Sequence, residues 1–180
     1  MATVAEKIAE SLERLKQLQD AENFVVLHGT EQLSRVHLTR LLSEGWLKEV
    51  VKGWYIASRP GMECDTTDWY SSYWAFMSKY CASRFGDGWS LTAEQSLDLH
   101  SGNTTVPIQT IIRHPDGNNN VTSLLYGTSL FNLKAKLPTS IYIHPEYGVR
   151  MYSLALLICC NYSGHPIWHR TAKPHSGVMS

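Results

Sequence analysis

The sequence of 180 residues has no excess of either charge. Sixteen Lys and Arg stand against sixteen Asp and Glu, and the isoelectric point is about 7.1. A chain-wide basic field that draws nucleic acid to any surface is excluded, so such a contact would need a local patch. There is no long hydrophobic run either: nothing approaches the roughly 18 apolar residues of a membrane span. The opening MATVAEKIAESLERLKQLQ is charged and amphipathic, without the apolar stretch of a secretory leader. Cysteines are few, and Cys64, Cys81, Cys159 and Cys160 are not spaced as a disulfide framework. These absences lead us to expect a soluble, reduced, cytoplasmic protein with no membrane contact. A P-loop, a GxGxxG turn and a nucleophile elbow are also missing. The expectation is a protein that is not an enzyme and needs no cofactor.

What is there is enough apolar residue, 43%, for one good core or two small domains sharing an interface. Residues 3–19 read as a helix. Val4, Ile8, Leu12, Leu15 and Leu18 form one apolar stripe, and Thr3 with Glu6 has the spacing of a capping box. Residues 23–27 (NFVVL) are a strand or the lead-in to the next helix. Residues 30–33 (TEQL) are expected to form the first helix of a helix-turn-helix, or one turn of it.

Residues 33–56, LSRVHLTRLLSEGWLKEVVKGWYI, carry the most information. Leu38, Leu41 and Leu42 share a helical face, and Gly45 ends the helix where positive φ is wanted. Leu47, Val50, Val51, Trp54 and Ile56 then surround Lys52-Gly53, the tip of a hairpin. Helix, glycine stop and basic hairpin make the layout of a winged helix-turn-helix, with double-stranded DNA as the first partner to consider. Ser34, Arg35, His37, Thr39 and Arg40 would face the major groove. Lys48 and Lys52 in the wing would neutralise phosphates. Trp46 and Trp54 would pack the wing on the helices. Residues 33–59 hold five cations against two acids, a modest net +3 that a dimer would double. The alternative for these charges is a solvated surface on a helix packed elsewhere.

Residues 58–67 (SRPGMECDTT) read as a linker, with a boundary near Pro60. The expected organisation is a winged helix-turn-helix over 1–59, an α+β domain over 60–158 and an irregular tail over 159–180. The second part opens on a helix that Thr67 can cap. Its stripe of Trp69, Tyr73, Phe76, Met77 and Tyr80 reads as core or subunit interface rather than a platform for bases. Thr92 with Gln95 has capping-box spacing, and 101–103 (SGN) stops that helix. Residues 107–134 read as strand, turn, strand, with Ile108, Ile111 and Ile112 in the first strand and Asp116-Gly117 in the turn. Residues 140–144 and 149–158 add further short elements.

The segment 33–56 resembles the N-terminal winged helix of AbiEi-type antitoxins, regulators in bacterial toxin–antitoxin systems. The resemblance is carried by a leucine-rich helix ending in glycine, then by Gly45, Leu47, Val50, Gly53 and Tyr55; SLDLHSG at 96–102 is similar to the family's next element. It implies a transcriptional regulator that represses its own operon from an inverted repeat, bound as a homodimer or by a paired domain. It also implies a second domain serving oligomerisation or contact with a cognate, nucleotidyltransferase-like toxin. The run from Asp87 to Pro138 also resembles the N-terminal portion of bacterial Fic-family cell-filamentation proteins. That resemblance implies a non-catalytic regulatory or recruiting module of a Fic-type modifying enzyme. A third reading is a protein-interaction module whose winged helix has lost DNA binding.

Two chemical motifs are weighed against these. His114-Pro115-Asp116-Gly117-Asn118 is similar to an adenylylation loop, but the Phe is absent and Asn119-Asn120 stand where Gly-Arg belongs. A turn is the expected reading. Cys159, Cys160, His165 and His169 include zinc-ligand types, but Pro166 breaks the histidine pair and adjacent cysteines make awkward ligands. No metal is expected.

Overall fold

The computed structural model describes residues 3–22, 25–61 and 66–162, with side chains through Cys159. The chain is α+β, as expected. Helix α1 (Val4–Ala21) begins at the capping box: Thr3 accepts from the Glu6 amide and Glu6 accepts from the Thr3 amide. Its stripe is buried unevenly. Leu15 is sealed and Leu12 and Leu18 are partly covered, whereas Val4 is 73% exposed because it lies at the helix start, before anything packs on it.

Strand β1 (Val26–His28) follows, then a turn over 29–33 in place of the helix expected there. Gly29 takes a φ of +54° and donates to Gly53 O, while Glu31 closes back on His28. These bonds use the amides of the turn, so no helical ladder starts. Helix α2 (Arg35–Ser43) is capped by Ser34, whose Oγ faces the His37 amide. It ends in a Schellman motif: Trp46 N donates to Leu41 O and Gly45 N to Leu42 O, with Gly45 at a φ of +77°.

Strands β2 (Leu47–Val51) and β3 (Trp54–Ala57) form the hairpin, turning at Lys52-Gly53 with Gly53 at a φ of +82°. Their register slips at Val50, a bulge. β1 pairs with β3, giving a three-stranded antiparallel sheet in the order β1-β3-β2. Both faces of this sheet are covered, by alternation that is broken only at the bulge, where Val50 and Val51 join the same cluster. Leu27, Leu47, Tyr55 and Ala57 face a cluster with Leu15, Leu33, Leu38 and Leu41. Val26, Trp54 and Ile56 join a second, larger cluster.

That second cluster centres on α3 (Thr67–Phe85). The helix begins at Thr67 rather than being capped by it. Thr66 is the cap position, and its carbonyl already accepts from Tyr70 N. Trp69, Tyr73, Trp74, Phe76, Met77 and Tyr80 are all buried, so α3 is apolar nearly all round. The aromatic stripe is core, and stacking on bases is excluded for it. The cluster runs across the expected boundary at Pro60, joining β1, β2 and β3 to α3.

The remaining elements are β4 (Ser90–Leu91), α4 (Ala93–His100), β5 (Gln109–His114), β6 (Val121–Ser123), β7 (Ser129–Lys134), β8 (Ile141–Ile143), β9 (Arg150–Tyr152) and α5 (Leu154–Tyr162). Thr92 caps α4 by accepting from Gln95 N. The capping box is half made, because Gln95 instead bridges β5, accepting from Ile111 N and donating to Gln109 O. The second sheet has the order β4-β5-β7-β6. β5 and β7 are parallel, so the strand–turn–strand reading of 107–134 does not close a hairpin. The turn after β5 instead carries the chain over to the far edge of β7, where β6 pairs antiparallel. Ile108 lies outside the strand and is 81% exposed. α5 extends to Tyr162, so the tail expected from 159 begins inside a helix.

Candidate nucleic-acid interface

The α1–α2 pair decides which of the expected groove-facing residues are free. Leu38 and Leu41 turn inward at helical spacing. His37 lies beside them, with Nδ1 2.9 Å from the buried Ser11 Oγ of α1. Arg40 donates from Nη1 to Lys7 O of the same helix at 3.3 Å. Both side chains are half-buried against α1. The opposite face carries Arg35, Val36 and Thr39, all exposed, with Ser43 one turn further on. Thr39 Oγ1 donates to Arg35 O, which leaves its methyl and oxygen lone pairs on the surface. Ser34 stands at the head of this face as the cap.

The hairpin divides the two lysines. Lys52 is exposed at the tip, next to Gly53. Lys48 pairs with Ile56 across the hairpin and therefore shares its face, toward the second half of the chain. There its Nζ donates to the Tyr126 hydroxyl at 2.5 Å and lies 5.2 Å from the ring centroid. Arg59 is drawn to Asp68, with its backbone N donating to Oδ2 at 3.1 Å and Nε 3.8 Å from Oδ1. Of the five cations counted from sequence, Arg35 and Lys52 remain fully at the surface with no carboxylate partner among the described residues.

Chemically, the outward face offers a forked cation, a β-branched methyl surface and a hydroxyl within two helical turns. Those groups suit a guanine edge, a thymine methyl and a phosphate or base edge. Val36, 55% exposed, was missed in the sequence reading. The signal was there: an apolar residue off the Leu38–Leu41 face of an otherwise polar stretch.

No family model, curated protein or solved structure matches the chain.

The other candidates resolve by position. His114 closes β5, and its Nδ1 accepts from Asp116 N in the tight turn that follows. Its ring lies 4.8 Å from Phe85. Gly117 is forced by packing: a Cβ there would meet Lys134 N at 2.6 Å. Glu94 and Asp98 are both exposed on α4, as a solvated face. Cys81 is fully buried, and burial pushes its thiol well above the usual range, so it is a core residue and not a reactive one. Cys159 is exposed on α5, while Cys64, His165 and His169, and the Cys160 side chain, lie outside the described residues. Among the described residues no group of three or more His, Cys, Asp or Glu could hold a metal ion. Among them too, no helix is long and apolar enough to cross a membrane.

Proposed function

We propose that the chain is a DNA-binding transcriptional regulator of antitoxin type, using α2 as the recognition helix of a winged helix and the β2–β3 hairpin as its wing. The observation that carries this reading is the division of α2 into two faces. Leu38 and Leu41 are sealed and His37 and Arg40 are tied to α1, while Arg35, Val36 and Thr39 stand free on the outside. A helix held rigidly by its inner face and presenting a polar, cationic outer face is what insertion into a major groove needs. The element order α1-β1-α2-β2-β3, with β1 pairing β3, agrees with a winged helix in which α1 supports α2. Its departure is the turn at 29–33 where a further helix is usual.

On this reading Arg35 reads a base edge, Thr39 and Ser34 serve phosphates or bases, and Lys52 fixes register on the backbone. The small count of free cations points to binding by two copies on an inverted repeat. The second half contributes the assembly or toxin-binding surface. Ile143, Leu154 and Ile158 are each about half exposed there, on β8 and α5, in keeping with a partner.

The test is binding of purified protein to the DNA upstream of its own gene and to a scrambled duplex, across a salt series. Preference for the upstream DNA that survives moderate salt is expected. Equal, weak binding to both duplexes, lost at moderate salt, would defeat the proposal and leave α2 a scaffold for a protein partner.

A further inference from the structure

The positive charge that the chain lacks as a whole is gathered at one end of the second sheet. β5 and β7 run parallel and finish side by side, with His114 level with Lys134. Arg113 folds over that end and donates from Nε to Lys136 O at 3.0 Å. The last turn of α3 closes the same end. Phe85 lies 4.8 Å from the His114 ring, and the Arg84 guanidinium stands 5.7 Å from the Phe85 ring. Arg84, Arg113, Lys134 and Lys136 thus come to one surface from three segments far apart in sequence. Asp116, in the turn after β5, is the acid beside them; Asp87 is taken up by Arg150 at 3.0 Å. None of the ion pairs among the described residues involves any of the four cations. Four cations against one acid leave +3 here, in a chain whose formal total is zero.

This ledge is held through its backbone. Lys134 N donates to Asn119 Oδ1 at 2.8 Å, and Ala135 N donates to His114 O. The side chains of Lys134 and Lys136 are left exposed. Nothing large and apolar accompanies them: among the described residues, none of the exposed large hydrophobics lies within 84–88, 113–117 or 134–136. A protein partner calls for an apolar or aromatic centre in its contact. A phosphate backbone calls only for cations and polar donors. The ledge also adjoins the wing. Trp54, two residues past Lys52, meets Tyr80 edge-on at 5.5 Å, and the Tyr80 hydroxyl accepts from Arg84 Nη1 at 2.8 Å.

We infer that this ledge is a second contact with the sugar-phosphate backbone of duplex DNA, beside the one made by the wing. The inference rests on the reading of α2 and the wing as DNA-binding and extends it to the second half of the chain. It adds to Arg35 and Lys52, the cations that stand clear on α2 and the wing. Phosphates carry no base identity, so the ledge contributes affinity and register and leaves sequence preference to α2.

The variant to make is Lys134→Gln with Lys136→Gln. Both side chains are exposed and both residues bond through backbone atoms, so the fold is kept. Its binding to the upstream and scrambled duplexes is followed across a salt series. The comparisons are the wild type and Arg14→Gln with Lys16→Gln, which removes the same charge from exposed positions on α1. The ledge variant is expected to bind both duplexes about tenfold more weakly at low salt, with the ratio between them unchanged and the salt slope shallower by about two units. The α1 variant is expected to stay within about twofold of the wild type. A wild-type slope in the ledge variant, or an equal loss in the α1 variant, would overturn the inference and leave the reading of α2 standing. No duplex binding by the wild type would overturn both.

Discussion

His37 Nδ1 donates to Ser11 Oγ across the α1–α2 interface. The direction follows from Ser11: its hydroxyl hydrogen is used on Lys7 O at 3.0 Å, so at 2.9 Å from His37 it can only accept. His37 is therefore protonated at Nδ1, and it serves as a strut that holds α2 against its support. Ser11→Ala would leave that donor without its acceptor in a site where Ser11 is fully buried. We expect a loss of about 1 kcal/mol, read as a lower urea midpoint with an unchanged slope. An unchanged midpoint would mean that the leucines alone fix the two helices.

The two arginines of α2 are expected to behave differently. Arg40, tied to Lys7 O, has little reach into a groove, whereas Arg35 is free. Helical spacing alone turns both arginines toward the groove; the bond from Arg40 to Lys7 O leaves that role to Arg35. Arg35→Ala is expected to weaken binding to the preferred DNA by about 1–3 kcal/mol while barely changing scrambled DNA. Lys52→Ala is expected to weaken both alike and to flatten the salt dependence by about one unit. Gel-shift titrations at several salt concentrations separate these cases. A loss at Arg40 with none at Arg35 would place the wrong face of α2 in the groove.

These assignments mark where the sequence was legible. Period 3.6 and local chemistry exposed the Thr3–Glu6 box, the Gly45 stop and the Lys52-Gly53 tip, because each depends on residues within a few positions of one another. Long-range partners were not legible. That Lys48 turns to Tyr126 follows from strand parity at a bulge and from which sheet face meets α3. That β7 lies between β5 and β6 follows from ladders between residues far apart in sequence, with Asn119 and Asn120 bonding to Asn132 through the backbone, which no periodicity signals. The split of α2 between Arg35 and Arg40 likewise needed the position of α1.

Trp54 links the halves. It stacks on His28 at 4.4 Å and meets Phe76 and Tyr80 of α3 edge-on at 6.0 and 5.5 Å. Because this cluster crosses residue 60, the described residues should unfold as one unit. Trp54→Ala is expected to cost about 3–5 kcal/mol, the range for a buried large aromatic. Far-ultraviolet dichroism and hydrogen exchange on α2 amides should report the same transition midpoint in urea. Two separated midpoints would show that residues 1–59 fold independently of α3.

Tyr73 supplies the pH-dependent test. Its ring is fully buried and its hydroxyl lies 2.5 Å from Thr110 Oγ1. Burial pushes its pKa from 10.0 up to about 12, the Thr110 hydrogen bond opposing only in part. Ionisation is therefore harder in the folded chain than in the unfolded one. The stabilisation is complete below pH 10 and is lost as pH rises from 10 toward 12. That displacement corresponds to about 3 kcal/mol at full ionisation, a large share of a small domain's stability. Tyr73→Phe removes the ionisable group while leaving Thr110 without its partner. It should lower stability by about 1–2 kcal/mol at pH 7 and make the alkaline decline between pH 10 and 12 shallower. Urea midpoints at pH 7, 10 and 11 on both proteins decide this. An equally steep alkaline decline in Tyr73→Phe would show that the buried phenol does not govern it, and that half-buried tyrosines such as Tyr55, raised by burial and by Glu49, carry the effect instead.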